Sequence, residues 1–365
     1  MSTATFELDP IEFATIECWA DDDHAEAFRC FVLSARRLVD RADAGMNPRP
    51  SDAMLAVCRT ALELVSTSPS PPAHIARDFF ERLFTPHRVR ATPPGLLTGY
   101  YEPVLLASRT RSPEFPVPLL RRPPDLVNLV DESERGAVGT RLTHGRQTPL
   151  GVEPYATRTE IENGALDDQG LEIAWLSDPV DAFFLHVQGS GQLRFADGTS
   201  TRLAYAGKNG HPYTSVGRVV IDAGHMSAEE MSLDALKDWL RADPERGRDA
   251  MRHNASYIFF RELTAGDGDG ALGVMEIPLT PMRSLAVDTA FHEIGLPVFI
   301  SVDGIAHMPD GPSVRRLMIA QDVGSAIRGP ERGDFYFGTG DEAGFRAGVT
   351  KHPLSFIVLK PNGTS

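Results

Sequence analysis

The sequence predicts a mainly β protein with helices at its amino-terminal end, and three observations carry that reading. Apolar residues recur at helical spacing chiefly through the first 95 residues. From Leu96 the chain breaks into short apolar runs between turn residues, and its 28 prolines and 32 glycines suit a turn-rich β region. Strand-like runs at the far end resume a texture that begins at the Tyr100 strand, which predicts a discontinuous domain. Residues 1–95 would be a helical region packing on it, residues 96–102 and 216–365 the β-domain itself, and residues 103–215 a second, inserted β-domain. A chain of 365 residues has room for both and can bury a sizeable core.

The helices come first. Asp21-Asp22-Asp23 precedes Ala25 to Val39, where Ala27, Phe28, Phe31, Val32, Ala35 and Leu38 form a stripe. The acids read as a cap suited to the positive helix end, with a metal site as the less favoured alternative. Ser51 to Val65 makes a second helix, which the prolines from Pro69 break, and Ala73 to Phe84 a third. Residues 103–150 are rich in Pro and Arg and read as loops and edge strands. Thr157 and Glu160 have capping-box spacing, which predicts a short helix. Leu171–Leu176 and Ala182–Val187 read as apolar strands, Met226–Leu240 as a helix ended by Asp243-Pro244, and the run from Asn254 as a strand. Further strands are expected at Leu272–Ile277, Ser284–Val287, Val298–Val302, Leu317–Gln321, Phe335–Phe337 and Phe356–Leu359.

Charge and motifs exclude several functions. A formal net charge of -14 argues against nucleic acid, because phosphate binding needs a basic surface. Cys18, Cys30 and Cys58 form no C-x-x-C and read as small buried hydrophobes, with a Cys18–Cys30 disulfide left open. The turn Gly266-Asp-Gly-Asp-Gly lacks the remaining ligands of a calcium loop, and His292-Glu293 lacks the second His of a zinc protease. Ser190 lies outside a nucleophile elbow, since Gln188 takes the place before Gly189, so both read as hydrogen-bonding groups on a turn. No metal and no cofactor is expected. No run of eighteen apolar residues appears, so no transmembrane helix is expected either.

The candidate chemistry lies near the end of the chain. Leu317 to Ala320 is an apolar strand run that reaches polar groups at Gln321 and Asp322. Asp334 opens the aromatic run Phe335-Tyr336-Phe337, and Gly338 and Gly340 permit close backbone turns behind it. A carboxyl beside rings is desolvated, which disfavours its charge and poises it for general acid catalysis. Two strand-end aspartates that satisfy turn amides are the alternative. Upstream, Leu97-Thr-Gly-Tyr-Tyr-Glu-Pro-Val sets Tyr100, Tyr101 and Glu102 on one strand. Gly207-Lys-Asn-Gly-His-Pro-Tyr places Lys208, Asn209 and His211 on a polar loop.

With the stretch from Arg283 to Val298, these segments resemble the 3D domain, named for three aspartates, here Asp288, Asp322 and Asp334. From about Leu96 to about Leu359 the chain resembles the membrane-bound lytic murein transglycosylase A family. The resemblance implies a six-stranded double-psi β-barrel as the catalytic domain, with the inserted β-domain as the other wall of a substrate groove. It implies cleavage of the β-1,4 bond between N-acetylmuramic acid and N-acetylglucosamine without water, leaving 1,6-anhydromuramic acid ends. Asp334 would act as acid and then base, with Asp322 beside it. Tyr100, Tyr101, Glu102, Gln188, Ser190 and Lys208 would line the groove, and Asp288, Gly338 and Gly340 would support it. The partners implied are peptidoglycan glycan strands and wall synthesis or degradation machinery.

Two other functions compete. An ordinary glycoside hydrolase would use Asp334 as acid and Asp322 or Glu102 as base. A non-catalytic module would bind the cell wall without releasing fragments. The resemblance implies a periplasmic or outer-membrane-associated protein. The first residues, Met1-Ser-Thr-Ala-Thr-Phe-Glu-Leu-Asp-Pro, show no signal peptide or lipobox, so the sequence leaves the export route open.

Overall fold

The computed structural model describes residues 5–92, 94–130, 142–264, 270–305, 307–308 and 311–363; the glycine–aspartate turn at 266–269 lies outside the described residues. The chain divides into two compact units. The first holds Met1–Tyr100, Leu272–Gly338 and Thr350–Ser365, and the second holds Tyr101–Ala271 and Thr339–Val349.

The amino-terminal stretch is less purely helical than its periodicity predicts. It opens with β1 (Thr5–Pro10), then α1 (His24–Asp43), α2 (Asp52–Thr67) and α3 (Ala73–Leu83), and returns to sheet in β2 (Phe84–Thr92) and β3 (Gly95–Glu102). The Asp23 carboxylate caps α1 by accepting from the Glu26 amide, and the Ser51 hydroxyl caps α2 through the Met54 amide. β1 and β2 pair antiparallel from Thr5 opposite Thr92 to Pro10 opposite His87. They escape a hydrophobicity pattern because arginines 88 and 90 face solvent on β2 while only Phe84, Pro86 and Val89 are buried. Cys30 and Cys58 are buried and free, but Cys18 is exposed and unbridged, contrary to the reading of all three as buried.

The middle of the chain forms the second unit. Its elements are β4 (Val104–Ser108), β5 (Val117–Leu120), β6 (Leu126–Asn128), β7 (His144–Thr148), β8 (Gly151–Glu153), α4 (Arg158–Glu162), β9 (Glu172–Leu176), α5 (Pro179–Gln188), β10 (Gly191–Phe195), β11 (Ser200–Lys208), α6 (Val216–Asp222), α7 (Leu233–Ala242), α8 (Pro244–Arg252) and β12 (Ile258–Glu262). Six strands lie in the order β12-β11-β10-β4-β9-β5, and a bridge from Arg121 to Phe260 brings the two edges together. The expected strand at Ala182–Val187 is helix α5. Asp178 accepts from the Val180 amide as its N-cap, Pro179 fills the first turn, and Gly189 ends it in the left-handed region. Val180, Ala182, Phe183, Phe184, Leu185 and His186 are all buried, so no polar face marks the period. Residues 216–271, expected with the carboxy-terminal strands, fall in this unit, because β12 pairs antiparallel with β11.

The remaining strands are β13 (Ser284–Val287), β14 (Pro297–Asp303), β15 (Ser313–Asp322), β16 (Arg332–Thr339) and β17 (Lys351–Pro361), with α9 (Asp341–Val349) before the last. Leu272–Ile277 is not a strand; only an isolated bridge joins Leu272 to Pro278. The first unit's sheet runs β1-β2-β17-β14-β15-β13-β16-β3, and β17 also pairs with β3. That extra pairing closes six of its strands into a ring, which removes their open edges. The helices pin to the ring through charge. Arg283 donates from Nε to Glu26 at 2.7 Å, from both terminal nitrogens to Asp22 at 2.9 Å, and to the Leu317 carbonyl at 2.8 Å.

Candidate active site

Strand register brings two carboxyls to one place. On β13, Ala286 lies opposite Asp322 of β15 and also opposite Asp334 of β16. Residues opposed across a ladder share a face, so both carboxyls flank a single methyl group. The register on the β15 side shifts between Leu285 and Ala286, and that irregularity is what sets Asp322 opposite the same residue as Asp334.

Each carboxyl is held differently. Asp334 accepts from the Thr98 hydroxyl, and Thr98 in turn accepts from Arg332 Nη2 at 2.7 Å. Asp322 accepts from the Val323 amide at 2.9 Å, and the Tyr100 hydroxyl lies beside it without a well-formed hydrogen bond. Burial pushes Asp322 up to about 7; the Val323 amide and Tyr100 oppose the shift and the charge of Asp334 adds to it. Burial pushes Asp334 up to about 6, against the Thr98 hydroxyl and the Arg332 charge. Tyr100 is raised well above its ordinary value by burial and by both aspartates, so it stays a neutral phenol.

The source of that burial differs from the sequence expectation. Side chains alternate across a strand, so Phe335 and Phe337 point away from Asp334. Their rings stack on each other at 4.8 Å on the other face. Of the three rings only Tyr336 shares the Asp334 side, and it packs against Tyr100 at 5.2 Å. Tyr100 is therefore partly committed to Tyr336 rather than open to stack on a sugar.

Asp288 supports the loop that leads from Asp322 to Asp334. Its carboxylate accepts from the Gly329 amide at 2.8 Å and the Ala290 amide at 3.2 Å. Gly338 has φ +106°, a region that L side chains avoid, and a Cβ there would meet Pro281 at 3.3 Å.

The other expected residues belong to the second unit. Tyr101 is 7% exposed, with its ring against Gly344, where a Cβ would lie 2.7 Å away. Its amide donates to Gln188 Oε1 at 3.1 Å. Glu102 is fully buried and accepts from Thr339 Oγ1 at 2.7 Å and Arg202 Nε at 3.4 Å, while its carbonyl takes the Gly340 amide at 2.9 Å. Tyr101 thus packs on α9, and Glu102 holds the 339–340 turn. Gln188 and Ser190 flank the Gly189 cap and are half-buried. Lys208 is buried at the end of β11. Beside it Asn209 pins the loop, donating to the carbonyls of Ala156 and Ala255 at 2.8 Å, and His211 bonds the Tyr155 carbonyl. Sequence reasoning missed Arg332 altogether. No motif marks it, because its value lies in a contact 234 residues away in the chain.

Residues 96–261 match the family described as the MltA specific insert domain, and residues 283–360 match the 3D domain. The membrane-bound lytic murein transglycosylase A of Vibrio cholerae is 40% identical over 203 residues, 54% of this chain and 53% of that protein. The match thus spans about half the length of that curated relative. A crystal structure of the membrane-bound lytic murein transglycosylase from Agrobacterium tumefaciens superposes with a TM-score of 0.85 at 34% identity, covering 97% of this chain and 98% of that one. A crystal structure of Escherichia coli MltA with bound chitohexaose superposes with a TM-score of 0.66 at 29% identity, covering 97% and 91%. On the site geometry and these likenesses together, the chain belongs to the membrane-bound lytic murein transglycosylase A family.

Proposed function

We propose that this protein is a peptidoglycan lytic transglycosylase, with Asp334 as its acid and then its base. The observation that carries the reading is the pair of buried carboxyls either side of Ala286, one of them poised at about 6 with a hydroxyl and a guanidinium behind it. A carboxyl in that range keeps a protonated fraction at mildly acidic pH and loses its proton readily, which both halves of the reaction need. In the first half, Asp334 gives its proton to the glycosidic oxygen as the bond to the muramic acid C1 breaks. In the second, the C6 hydroxyl oxygen of the same muramic acid bonds to C1 and its proton returns to Asp334. Atoms balance without water, metal or cofactor.

Asp322 keeps its own proton longest and so spares Asp334 a neighbouring charge through the turnover. The ring of strands would be a double-psi barrel, and the protein would act on glycan strands in the cell envelope, together with other wall machinery. A relative crystallised with chitohexaose supports an amino-sugar chain as the ligand class. Gln188, Ser190 and Lys208 remain proposed sugar contacts.

The presence of two carboxyls also fits ordinary hydrolysis, with Asp322 as base. Products separate the two. Mass spectrometry of murein digested by the purified protein should show 1,6-anhydromuramic acid ends, whereas reducing ends would replace this reading with a hydrolase. Binding to sacculi with no soluble fragment would leave only a wall-binding module.

A further inference from the structure

We propose that Thr98 is a positioning residue that decides which oxygen of Asp334 carries the acid proton. The inference rests on the reading of Asp334 as the acid and follows from counting donors. Arg332 Nη2 donates to Thr98 Oγ1 at 2.7 Å, and a guanidinium cannot accept. The hydroxyl oxygen therefore takes the arginine hydrogen, and its own single hydrogen must go to another acceptor. Among the described residues that acceptor is Asp334 Oδ1. Oδ1 is then an acceptor whether or not the carboxyl is protonated, and the transferable proton resides on Oδ2.

The arrangement is rigid on both sides. Arg332 Nη1 donates to the Leu96 carbonyl at 3.3 Å and to its neighbour's carbonyl at Gly333, which anchors the guanidinium across β3 and β16. Thr98 is β-branched on a strand, so its rotamer is restricted and its hydroxyl stays aimed at the carboxyl. The groups facing Asp334 are Thr98 and Tyr100 from β3, Arg332 and Tyr336 from its own strand, Asp322 from β15, and uncharged Ala286 from β13. Of these, Thr98 donates directly to Asp334, and Arg332 determines where that donation goes. Losing it removes a bond that favours the carboxylate, so the proton is held more tightly and is free to sit on either oxygen.

The test uses the full chain with Thr98→Val, which keeps branching and size, and Thr98→Ser, which restores the hydroxyl. The Asp334 carboxyl is followed by ¹³C chemical shift against pH, assigned with Asp334→Asn, and kcat and KM for murein are measured over the same range. Thr98→Val should move the Asp334 titration up by about one pH unit, carry the alkaline limb of kcat with it, and lower kcat about 10–100-fold with KM little changed. Thr98→Ser should bring both back most of the way. If Thr98→Val fails to fold, Thr98→Ala, which also removes the hydroxyl and leaves the Arg332 charge in place, must shift the titration upward in the same sense. A Thr98→Val protein, or failing that Thr98→Ala, that titrates like the wild type overturns the proposal. The titration needs no substrate, so it decides the hydrogen bond even if the wild type releases no anhydro ends, a result that would instead sink the reading of the reaction.

Discussion

In the second unit Arg158 is 2% exposed and bonded through each of its three nitrogens: Nε donates to the Asn254 carbonyl at 3.0 Å, Nη2 to the Ser256 carbonyl at 2.7 Å, and Nη1 reaches Glu162 at 3.5 Å. In the first unit Asp322 and Asp334 have few donors each and a like-charged neighbour. The first unit also contains a buried cation bonded through all three nitrogens, Arg283, so the difference is not a property of either fold. Buried charge met by backbone and opposite charge holds structure together. Buried charge left short of partners beside its own sign costs stability, and that cost keeps a proton within reach at neutral pH.

The comparison is easiest to break at Arg158. Arg158→Ala leaves two carbonyls without their donor, takes from Glu162 one of two guanidinium partners, the other being Arg252, and opens a space between Phe183 and Tyr257, whose rings lie 4.8 and 5.3 Å from the guanidinium. A loss of about 3–5 kcal/mol in urea unfolding is expected. A loss under about 1 kcal/mol would mean that this buried charge is not structural.

Asp322 should behave in the opposite sense. Burial holds its folded pKa at about 7, well above the ordinary aspartate value, so the folded state holds the proton longer. The contribution of this group to stability is fully present below about 4 and is lost as pH rises through about 7. Asn is neutral throughout. The melting temperature of Asp322→Asn relative to wild type should therefore rise between pH 5 and pH 8. A difference that stays flat with pH contradicts the raised pKa.

His186 supplies the smaller, mirrored effect. It is 6% exposed, its ring stands edge-on to Tyr257 at 4.3 Å, and neither nitrogen finds a hydrogen-bond partner among the described residues. Burial and the nearby Arg158 lower its pKa well below 6.5. The unfolded chain takes up a proton below about 6.5 that the folded one refuses, so stability is lost as pH falls from there. His186→Phe should gain on wild type between pH 7 and pH 5. If the gap instead narrows as pH falls, the imidazole is charged in the fold.

Local signals made some of this legible in the sequence. Ser284–Val287 is a short apolar run, and it is β13 with the same bounds. The Thr157–Glu160 spacing is a capping box with both bonds formed. Asp334 and Asp322 stood out because each ends or opens an apolar run, which is where a buried strand meets polar groups. Helix α5 was misread because burial on every side erased its period, although Asp178-Pro179 signalled a helix start. β1 lies at the sheet edge and β2 between it and β17, and the charged residues on both, among them the exposed arginines 88 and 90, hide the alternation. The packing of Tyr101 was hidden for a different reason. Aromatic residues look alike in sequence whether they face a ligand or a glycine on a helix, and only the fold shows Gly344 beneath the ring. The Arg332–Thr98–Asp334 chain spans more than 230 residues, and no window of sequence contains it.

Release of anhydro fragments from murein by Asp334→Asn, set beside its melting curve, tests the central claim most directly. The amide keeps the size of the side chain and can still accept from Thr98, but it cannot move a proton. Because one residue serves both halves of the reaction, activity should fall to or beyond the upper end of the roughly 10²–10⁴-fold range for general acid–base catalysis. The melting temperature should hold or rise, since burying an amide costs less than burying a carboxylate. A variant that melts like the wild type and still releases anhydro ends at a near wild-type rate would contradict the account.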